Sequence, residues 1–498
     1  MHRMWANKAA TTMLIKAKTL AILGTSSCVG KSLIATALCR IFKENGYKVA
    51  PFKAVNISLN SSVTKDKKEI ALAQIIQAEA AGIEPKSAMN PFLIKPQHEG
   101  APQVIINGKV ATPNQIKKFY ESKVGMWSVI KRSLDQTHAG YDIVVIEGAA
   151  SCAEPGFIEC DIANLKIAKY SKSPIILVGD TERGGVFASL EGTISILRRH
   201  DLESASLIKG FLINKYKGRK KDLAKAVKEL EKVTGIPVLG VIPYIKNHGI
   251  PEEDNWFPKE HRENKKAVLD IVVIRTPNLQ NTQDFEPLIA SPGVQLRFIS
   301  KPQDFGNPDL VILGGSKNTK LDLQWLQKAG LAKLVLNHAQ EEKALIGICG
   351  GFQMLGKWIL DPKKVESSKV RVAGLGLLPT TTIFHTKKTT QQVKLTLKEN
   401  EGMLKGAKGL EISGFEIHMG KTSPGAKIIQ KEWVLGTYIH DIFNQDNIRR
   451  VILRNLAEKK GVTLPIFQKT DKDPYAFLAN TVKKNINTKL LYRILNDQ

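Results

Sequence analysis

Short apolar runs separated by longer amphipathic stretches are the feature that most restricts the fold of this chain. In its first half they predict buried strands at TLAIL (19–23), KVAPF (48–52), DIVVIE (142–147), PIILVG (174–179) and IKGFLIN (208–214). Apolar runs of about four to eight residues that alternate with helical segments are typical of parallel sheets covered by helices on both faces. The sequence therefore predicts an α/β fold built on doubly wound sheets.

A second series of the same kind follows a polar interruption. After VLGVIPY (238–244) comes a segment rich in charge, proline and asparagine, followed by VLDIVVI (268–274), LVILGG (310–315), ALIGICGG (344–351) and VLGTYIH (434–440). A chain of 498 residues exceeds one ordinary domain, so we expect two doubly wound domains. The expected divisions are a first domain (1–245), a linker (246–266), a second domain (267–455) and a C-terminal helical tail (456–498). Helices after residue 446 are expected to close the second domain.

Composition argues against several classes of protein. No stretch approaches the roughly 18 uninterrupted apolar residues of a membrane-spanning helix, and the N-terminus lacks the pattern of a secretory signal. The five cysteines are scattered and form no CxxC pair, which argues against disulfide frameworks and zinc clusters. A cytoplasmic location without a membrane partner is expected.

The formal net charge of +26 is large enough to attract polyanions. Lysines and arginines are spread along the whole chain, without a dense basic arm or a strip interleaved with aromatic residues. We therefore expect a generally basic surface that helps an acidic substrate to approach, and no nucleic-acid partner. The oligomeric state stays open, and a homo-oligomer is compatible with the sequence.

The segment GTSSCVGKS (24–32) has the character of a phosphate-binding loop, although five residues rather than four separate its glycines. It lies between a predicted strand and a predicted helix, which is the order that a phosphate site at a helix N-terminus needs. Curled backbone N–H groups and a lysine would hold the phosphates of ATP. The residues expected to bind ATP are Gly24, Thr25, Gly30, Lys31 and Ser32.

A metal ion beside these phosphates needs hard oxygen ligands. Ser32 and Glu147, at the tip of the predicted strand DIVVIE, are the expected ligands of Mg²⁺. A carboxylate that simply faces water is the alternative reading of Glu147. The stretch VGDTERGGVFAS (178–189) also starts at a strand tip and suits contacts with phosphate or carboxylate, although a plain loop fits it equally well.

In ALIGICGGFQMLG an apolar strand runs into Cys349, and Gly350 and Gly351 precede an apparent helix. A nucleophile elbow needs this order, because small neighbours permit the sharp turn and N–H groups at the turn can hold an oxyanion. The helix N-terminus also favours the reactive thiolate. A buried structural cysteine is the alternative reading.

A cysteine nucleophile needs a base, and three histidines of the second domain are candidates: His385, His418 and His440. His440 ends a predicted strand in GTYIHDIF, where its side chain can reach a neighbouring strand tip. His418 in GFEIHMG has a similar setting. The residues alone favour His440 only slightly.

Nine segments together resemble the signatures of one family, the cobyric acid synthases of cobalamin biosynthesis, in that family's order. They are GTSSCVGKS, APFKAVNISLNS (50–61), AQIIQAEAAG (73–82), MNPFLIKP (89–96), VGDTERGGVFAS, GGSKNTKLDLQWL (314–326), GICGGFQMLG, GLGLLP (374–379) and GFEIHMG. The resemblance implies a dethiobiotin-synthetase-like ATPase domain fused to a class I glutamine amidotransferase domain.

The resemblance also implies roles for individual residues. It selects Cys349 as the nucleophile and His440 as the base, with an oxyanion hole formed by N–H groups near Gly315 and Gly350. Like its family, the chain has no carboxylate two residues after the histidine, where Ile442 stands. A Cys-His dyad is therefore the expected machinery.

The implied reaction is the amidation of four side-chain carboxylates of adenosylcobyrinic acid a,c-diamide. ATP would activate each carboxylate as an acyl phosphate, with Mg²⁺ as cofactor, and glutamine would supply the ammonia. A cobyrinic acid a,c-diamide synthase-like enzyme is the nearest alternative, and a ParA/MinD-like ATP switch that binds DNA or membrane is an alternative from another class.

The chain departs from the family's usual residues mainly in the predicted ATPase half. These departures motivate a third alternative, a relative that retains glutamine hydrolysis without amidation. The departing residues are Cys28, Val55, Ala71, Leu72, Ala150, Pro155 and Gly156.

Overall fold

The first part of the chain alternates strands and helices, as its apolar pattern predicts. The computed structural model describes residues 17–97, 101–112, 114–116, 123–246, 248–251, 264, 266–366, 369–466 and 473–497. The strands before residue 246 are β1 (Lys18–Gly24), β2 (Val49–Phe52), β3 (Val55–Ile57), β4 (Ser61–Val63), β5 (Glu69–Ala71), β6 (Phe92–Lys95), β7 (Gln103–Ile106), β8 (Lys109–Val110), β9 (Ile143–Glu147), β10 (Ile175–Asp180), β11 (Ile208–Tyr216) and β12 (Val238–Pro243). The α-helices are α1 (Lys31–Glu44), α2 (Leu72–Ala81), α3 (Lys123–His138), α4 (Leu165–Ser171), α5 (Val186–His200), α6 (Leu202–Leu207) and α7 (Ala224–Thr234).

Six of these strands form a parallel sheet in the order β12-β11-β10-β1-β9-β2. Its central strands are buried on both faces, and two separate hydrophobic clusters cover the faces. All five strands predicted for the first domain lie in this sheet, and the apolar run at 238–244 supplies its sixth strand, which confirms the doubly wound prediction. Because the strands are parallel, their carboxyl ends meet at one edge, where ligands of such folds bind.

Smaller β structure, which the apolar pattern did not predict, extends the first domain. Strands β3, β6, β7 and β8 form a four-stranded sheet, and β4 and β5 pair as an antiparallel hairpin. Helix α2, which follows the hairpin directly, returns the chain to the main sheet, because it packs on α1. Strand β4 of the hairpin contacts β21 and β22 in the second half of the chain.

The second half repeats the alternation. Its strands are β13 (Leu269–Ile274), β14 (Leu279–Gln280), β15 (Val294–Ile299), β16 (Leu310–Leu313), β17 (Gly315–Ser316), β18 (Ala344–Ile348), β19 (Trp358–Leu360), β20 (Arg371–Ala373), β21 (Thr381–Thr396), β22 (Glu411–Ser423), β23 (Ile428–Lys431) and β24 (Val434–Thr437). Its α-helices are α8 (Glu286–Ile289), α9 (Thr319–Lys328), α10 (Leu331–Gln340), α11 (Gly350–Leu355), α12 (Asp446–Lys460), α13 (Pro474–Lys483) and α14 (Thr488–Asn496).

The second main sheet has the order β15-β13-β16-β18-β24-β23, and only the edge pair β23–β24 is antiparallel. The four predicted strands of this half all lie in it. The last one is shorter than predicted, because β24 ends at Thr437 and His440 stands three residues beyond it. The long hairpin β21–β22 leads from this sheet towards the hairpin β4–β5 of the first domain.

The C-terminal helices differ from the expectation that they all close the second domain. Helix α12 does pack in the second core, through residues such as Ile448 and Ile452. Helices α13 and α14 instead return to the first domain, where Leu478, Val482 and Leu491 join the cluster formed by β1 and α1. The reason is burial, because the apolar faces of α13 and α14 cover the part of the first sheet that α1 leaves exposed.

Most of the expected linker, including 252–263, lies outside the described residues, as do residues 1–16 of the expected first domain. Within the described part of the chain, no helix is both long enough and apolar enough to cross a bilayer.

Candidate active sites

The loop 24–30 joins β1 to α1 at the carboxyl edge of the first sheet. Gly30 has φ 95°, a left-handed conformation that glycine adopts without strain, and a Cβ on Gly24 would come within 2.9 Å of the Lys31 Nζ atom. That ammonium group lies over the loop, donating to the carbonyl oxygens of Ser26 (2.9 Å) and Ala150 (3.0 Å). The N–H of Thr25 donates to the Val178 carbonyl (3.0 Å), so this group ties the loop to β10.

Ser32 and Glu147 are brought together as the sequence predicts. The Ser32 hydroxyl donates to Glu147 Oε1 across 2.7 Å, and Glu147 is fully buried rather than facing water. Burial acts to raise the pKa of this carboxyl, but the Lys53 ammonium and the hydrogen bonds around it hold the pKa below its usual range. The carboxylate is therefore ionised at neutral pH.

Two partners of Glu147 were missed by the sequence reasoning. Lys53, just beyond β2, donates to Oε1 across 2.7 Å, and Gln77 on α2 donates to Oε2 across 2.5 Å. Both side chains are buried. A signal was present, because a lysine and a glutamine inside otherwise apolar segments are rarely buried without a partner.

The second candidate site begins where β18 ends. Cys349 has φ 52° and ψ −105°, a strained backbone conformation for a residue other than glycine, and α11 starts at the next residue. Space is limited on both sides: a Cβ on Gly350 would lie 2.7 Å from the Ser316 backbone nitrogen, and a Cβ on Gly351 would overlap the Leu313 carbonyl. The predicted strand-to-helix elbow is therefore present, with glycine required after the cysteine.

His440 is the histidine that meets Cys349. Cys349 is among the groups that raise the pKa of its imidazole, and its ring stacks on Phe415 with centroids 5.0 Å apart. Its backbone N–H donates to the Phe415 carbonyl (2.9 Å). Gly315 adjoins the same ring, because a Cβ there would lie 3.2 Å from His440 Cε1.

The expected dyad is wrong in one respect, because a carboxylate completes the arrangement. Asp284 Oδ2 accepts a hydrogen bond from His440 Nδ1 across 2.7 Å, and Asp284 Oδ1 accepts from the Asp441 N–H across 2.9 Å. Burial acts to lower the pKa of His440, but the charge of Asp284, the hydrogen bond that His440 donates to it, and the neighbouring Cys349 raise the pKa to about 10. The histidine is therefore protonated at neutral pH.

Asp284 stands in a short turn, Thr282–Phe285, that follows β13 and β14. The sequence reasoning searched only beside the histidine, where Asp441 adopts a left-handed conformation with φ 63°. A usable signal was the polar run NLQNTQD (278–284) after the strand VLDIVVI, since all strand ends at that edge converge.

A small cavity of about 30 Å³ adjoins Cys349. Charged and amide side chains line it: Lys317, Glu366 and Lys388 from the second half of the chain, and Gln103 from the first. Burial lowers the pKa of Lys317 and raises the pKa of Glu366, and each group's charge offsets part of the other's shift. The cavity therefore lies where the two halves of the chain meet.

His418 also lines this cavity, but its imidazole has other partners. Its Nδ1 lies 2.6 Å from the Gly420 carbonyl oxygen, and its ring stacks on Tyr438 with centroids 3.8 Å apart. His385 lies half-buried on β21. Of the three histidines weighed from the sequence, His440 is the one that is hydrogen-bonded to Asp284 and whose pKa Cys349 raises.

Comparison with known proteins agrees with this geometry. Residues 20–255 match the CobQ/CobB/MinD/ParA nucleotide binding domain, and residues 270–448 match the CobB/CobQ-like glutamine amidotransferase domain. The chain is 42% identical over 503 residues to a cobyric acid synthase of Dehalococcoides mccartyi, covering 97% of this chain and 99% of the relative. The chain belongs to the cobyric acid synthase family.

Other members of the cobyric acid synthase family match over a similar length. The chain is 41% identical to a probable cobyric acid synthase of Methanocella arvoryzae (97% of this chain, 99% of the relative). It is also 41% identical to a cobyric acid synthase of Thermodesulfovibrio yellowstonii (96% and 99%). The chain is thus a glutamine-dependent amidotransferase that joins a nucleotide-binding domain to a glutamine amidotransferase domain.

Two of the residues named above as departures from the expected pattern lie at the nucleotide site. Ala150 has φ 51°, and its carbonyl is one of the two that Lys31 contacts. Cys28 has φ 60° and is exposed in the phosphate loop. Both positions hold a left-handed conformation that costs a residue with a side chain about 1–2 kcal/mol.

Proposed function

We propose that this protein uses ATP and glutamine to amidate four side-chain carboxylates of adenosylcobyrinic acid a,c-diamide through acyl phosphates. Family membership supports the substrate, and the two candidate sites support the two half-reactions. The observation that carries the proposal is the set Cys349, His440 and Asp284, because its Cys349 lines a cavity to which both domains contribute residues.

The glutamine half-reaction follows from the charges of this set. The Cys349 sulfur attacks the side-chain amide carbon of glutamine, and the charged imidazole of His440 stabilises the negative charge of the nucleophile. His440 then donates a proton to the departing nitrogen, ammonia leaves, and water hydrolyses the thioester to glutamate. N–H groups of Gly315 and Gly350 hold the oxyanion, and each such donor is worth roughly 10²–10³ in rate.

The cavity lining supports recognition of free glutamine. Glu366 suits its α-ammonium group, and Lys317 and Lys388 suit its α-carboxylate. Gln280 Oε1 is a buried acceptor without a partner among the described residues, and it faces the same cavity. At about 30 Å³ the cavity holds only about two waters.

The ATP half-reaction is assigned to the first site. Lys31 and the N-terminus of α1 bind the phosphates, because both present positive charge to the loop. Hydroxyl and carboxylate oxygens of Ser32 and Glu147 fit Mg²⁺. The described residues contain no cluster of three or more His, Cys, Asp or Glu, which suits a metal that takes its other ligands from phosphate and water. When bound, Mg²⁺ supplies charge stabilisation for the transferred phosphoryl group.

The decisive experiment incubates the protein with ATP, Mg²⁺, adenosylcobyrinic acid a,c-diamide and either glutamine or ammonium. Mass spectrometry then counts the replacements of OH by NH₂ on the corrinoid. We expect four replacements with either nitrogen source. An unmodified corrinoid together with active glutamine hydrolysis would overturn the substrate assignment.

Two variants separate the half-reactions. Cys349→Ala should abolish amidation with glutamine while keeping amidation with ammonium within about threefold, because only the nitrogen supply is lost. Lys31→Ala should abolish amidation with both nitrogen sources. Cys160→Ala, at a half-buried cysteine of the first domain, is the matched control and should behave as the wild type. Loss of ammonium-dependent activity in a folded Cys349→Ala protein would contradict this division.

A further inference from the structure

The hairpin formed by residues 60–71 of the first domain holds the turn that carries Asp284. The Asn60 Oδ1 atom accepts from the Thr282 N–H across 3.1 Å, and the Ser61 N–H donates to Asn281 Oδ1 across 3.2 Å. Gln283 Nε2 donates to the Ser61 carbonyl across 3.3 Å. Three successive residues before Asp284 are therefore fixed by the other domain.

The same hairpin also contacts the opposite side of the catalytic set. Val63 packs against Phe415 and Ile417 in a small buried cluster of its own. Phe415 stacks on the His440 ring, and the Ile417 carbonyl oxygen lies 3.4 Å from Cys349 Sγ. The hairpin thus supports the histidine from its Asp284 side and from its Phe415 side.

The far end of this segment reaches the nucleotide site. Strand β5 runs directly into α2, the Leu72 N–H donates to the Asn60 carbonyl (3.2 Å), and Gln77 on α2 donates to Glu147. On the other side of the segment, Lys53 is ion-paired with the same carboxylate. Both ends of residues 53–77 are therefore anchored on Glu147.

Phosphate that binds at the loop changes the electrostatic environment of the contacts that Lys53 and Gln77 make with Glu147. Lys53 is buried and pairs with Glu147, and a nearby polyanion attracts its ammonium and weakens that pair. A rearrangement of Lys53 or Gln77 moves the ends of a segment whose middle holds the glutaminase turn. Packed interiors respond to such shifts by switching between discrete arrangements rather than by bending smoothly.

We propose that the hairpin 60–71 makes glutamine hydrolysis depend on the nucleotide site, with Asn60 and Val63 acting as positioning residues for the Asp284–His440 pair. This inference rests on the proposed function of the Cys349 site. Ligands couple two sites in this way only if they stabilise different states of a shared element. The hairpin is that element.

The test measures how fast iodoacetamide alkylates Cys349, followed by mass spectrometry of the peptide that contains it. The rate is compared without nucleotide and with a non-hydrolysable ATP analogue plus Mg²⁺. We expect the analogue to change the wild-type rate at least about fivefold, the lower end of typical coupling between sites. Asn60→Ala should reduce that change to less than about twofold while still binding the analogue.

Lys65→Ala is the matched control, because Lys65 lies in the same hairpin with its side chain 71% exposed. It should keep the wild-type response. Val63→Ala acts through Phe415 instead of Asp284, and it too should reduce the effect of the analogue on the alkylation rate. It provides the test if Asn60→Ala does not fold. The inference is overturned if the analogue changes the alkylation rate of either folded variant as much as that of the wild type. It is also overturned if the analogue leaves the rate of the wild type unchanged. Absence of any glutamine hydrolysis by the wild type would instead refute the proposed function.

Discussion

Replacing Asp284 by asparagine removes the negative charge beside His440 and keeps the shape of the side chain. The two groups are in contact, with 2.7 Å between His440 Nδ1 and Asp284 Oδ2, and both are buried. With charge centres about 4 Å apart and an effective dielectric constant of about 20, the attraction is about 4 kcal/mol. At about 1.4 kcal/mol per tenfold, this predicts a loss of about 10³ in kcat/KM for glutamine.

The pKa of His440 supports the same order of magnitude. Burial acts to lower it, yet Asp284 and Cys349 raise it from 6.5 to about 10, a difference equivalent to about 5 kcal/mol. Without Asp284, the pKa of His440 falls, because the largest of the contributions that raise it is lost. The wild-type histidine keeps its proton up to about pH 10, whereas in Asp284→Asn the residual activity should decline at a lower pH.

The assay is ammonia release from glutamine between pH 5.5 and 9, with ammonium-dependent amidation as the control for folding. Asp441→Asn is the matched variant. Asp441 is hydrogen-bonded to Asp284 through its backbone N–H, so this substitution removes a neighbouring carboxylate but keeps that hydrogen bond. It should cost less than about tenfold. A loss of less than about tenfold in Asp284→Asn, or an equal loss in Asp441→Asn, would refute the reasoning.

Two further predictions concern the boundary between the domains. Burial acts to raise the pKa of Glu69, but Lys388 and Lys95 lower it from 4.5 to about 2. The ionised carboxylate therefore contributes about 3 kcal/mol to the free energy of unfolding above pH 4.5, and this contribution is lost as the pH falls towards 2. Urea unfolding should find Glu69→Gln about 3 kcal/mol less stable at pH 7 and nearly as stable as the wild type at pH 2; an unchanged stability at pH 7 would contradict this. Glu366→Gln should raise KM for glutamine about tenfold with kcat within about threefold, whereas exposed Glu401→Gln should change neither, as steady-state kinetics will determine.

The sequence predicted the two main sheets because their strands are buried on both faces. Strands such as β9 and β18 appear as unbroken apolar runs, which few other structures produce. The hairpin β21–β22 has half-exposed strands rich in threonine and lysine, so it left no such run. Helices α13 and α14 show a general limit: an apolar face indicates that a helix packs on something, but not on which domain.

The two reactive loops were predictable for a different reason. Each is a local pattern in which glycines and one reactive side chain lie within about nine residues, so spacing alone carries the chemistry. Asp284 has no such local pattern, because its partner His440 is 156 positions away in the chain. Lys53 and Gln77 meet Glu147 across similarly long separations. Contacts of this kind become visible only when the sheet order is known.

The glutamine site depends on the contact between the domains. Glu69 of the first domain is buried between Lys95 of its own domain and Lys388 of the second, at 2.7 and 2.6 Å. An ionised carboxylate at 1% exposure would be costly with one lysine removed, and Lys388 would likewise lose its partner. Because Lys388 also lines the cavity beside Cys349, the cavity has its charges in place only when both domains are together. Ammonia is then released at the boundary with the domain that must consume it.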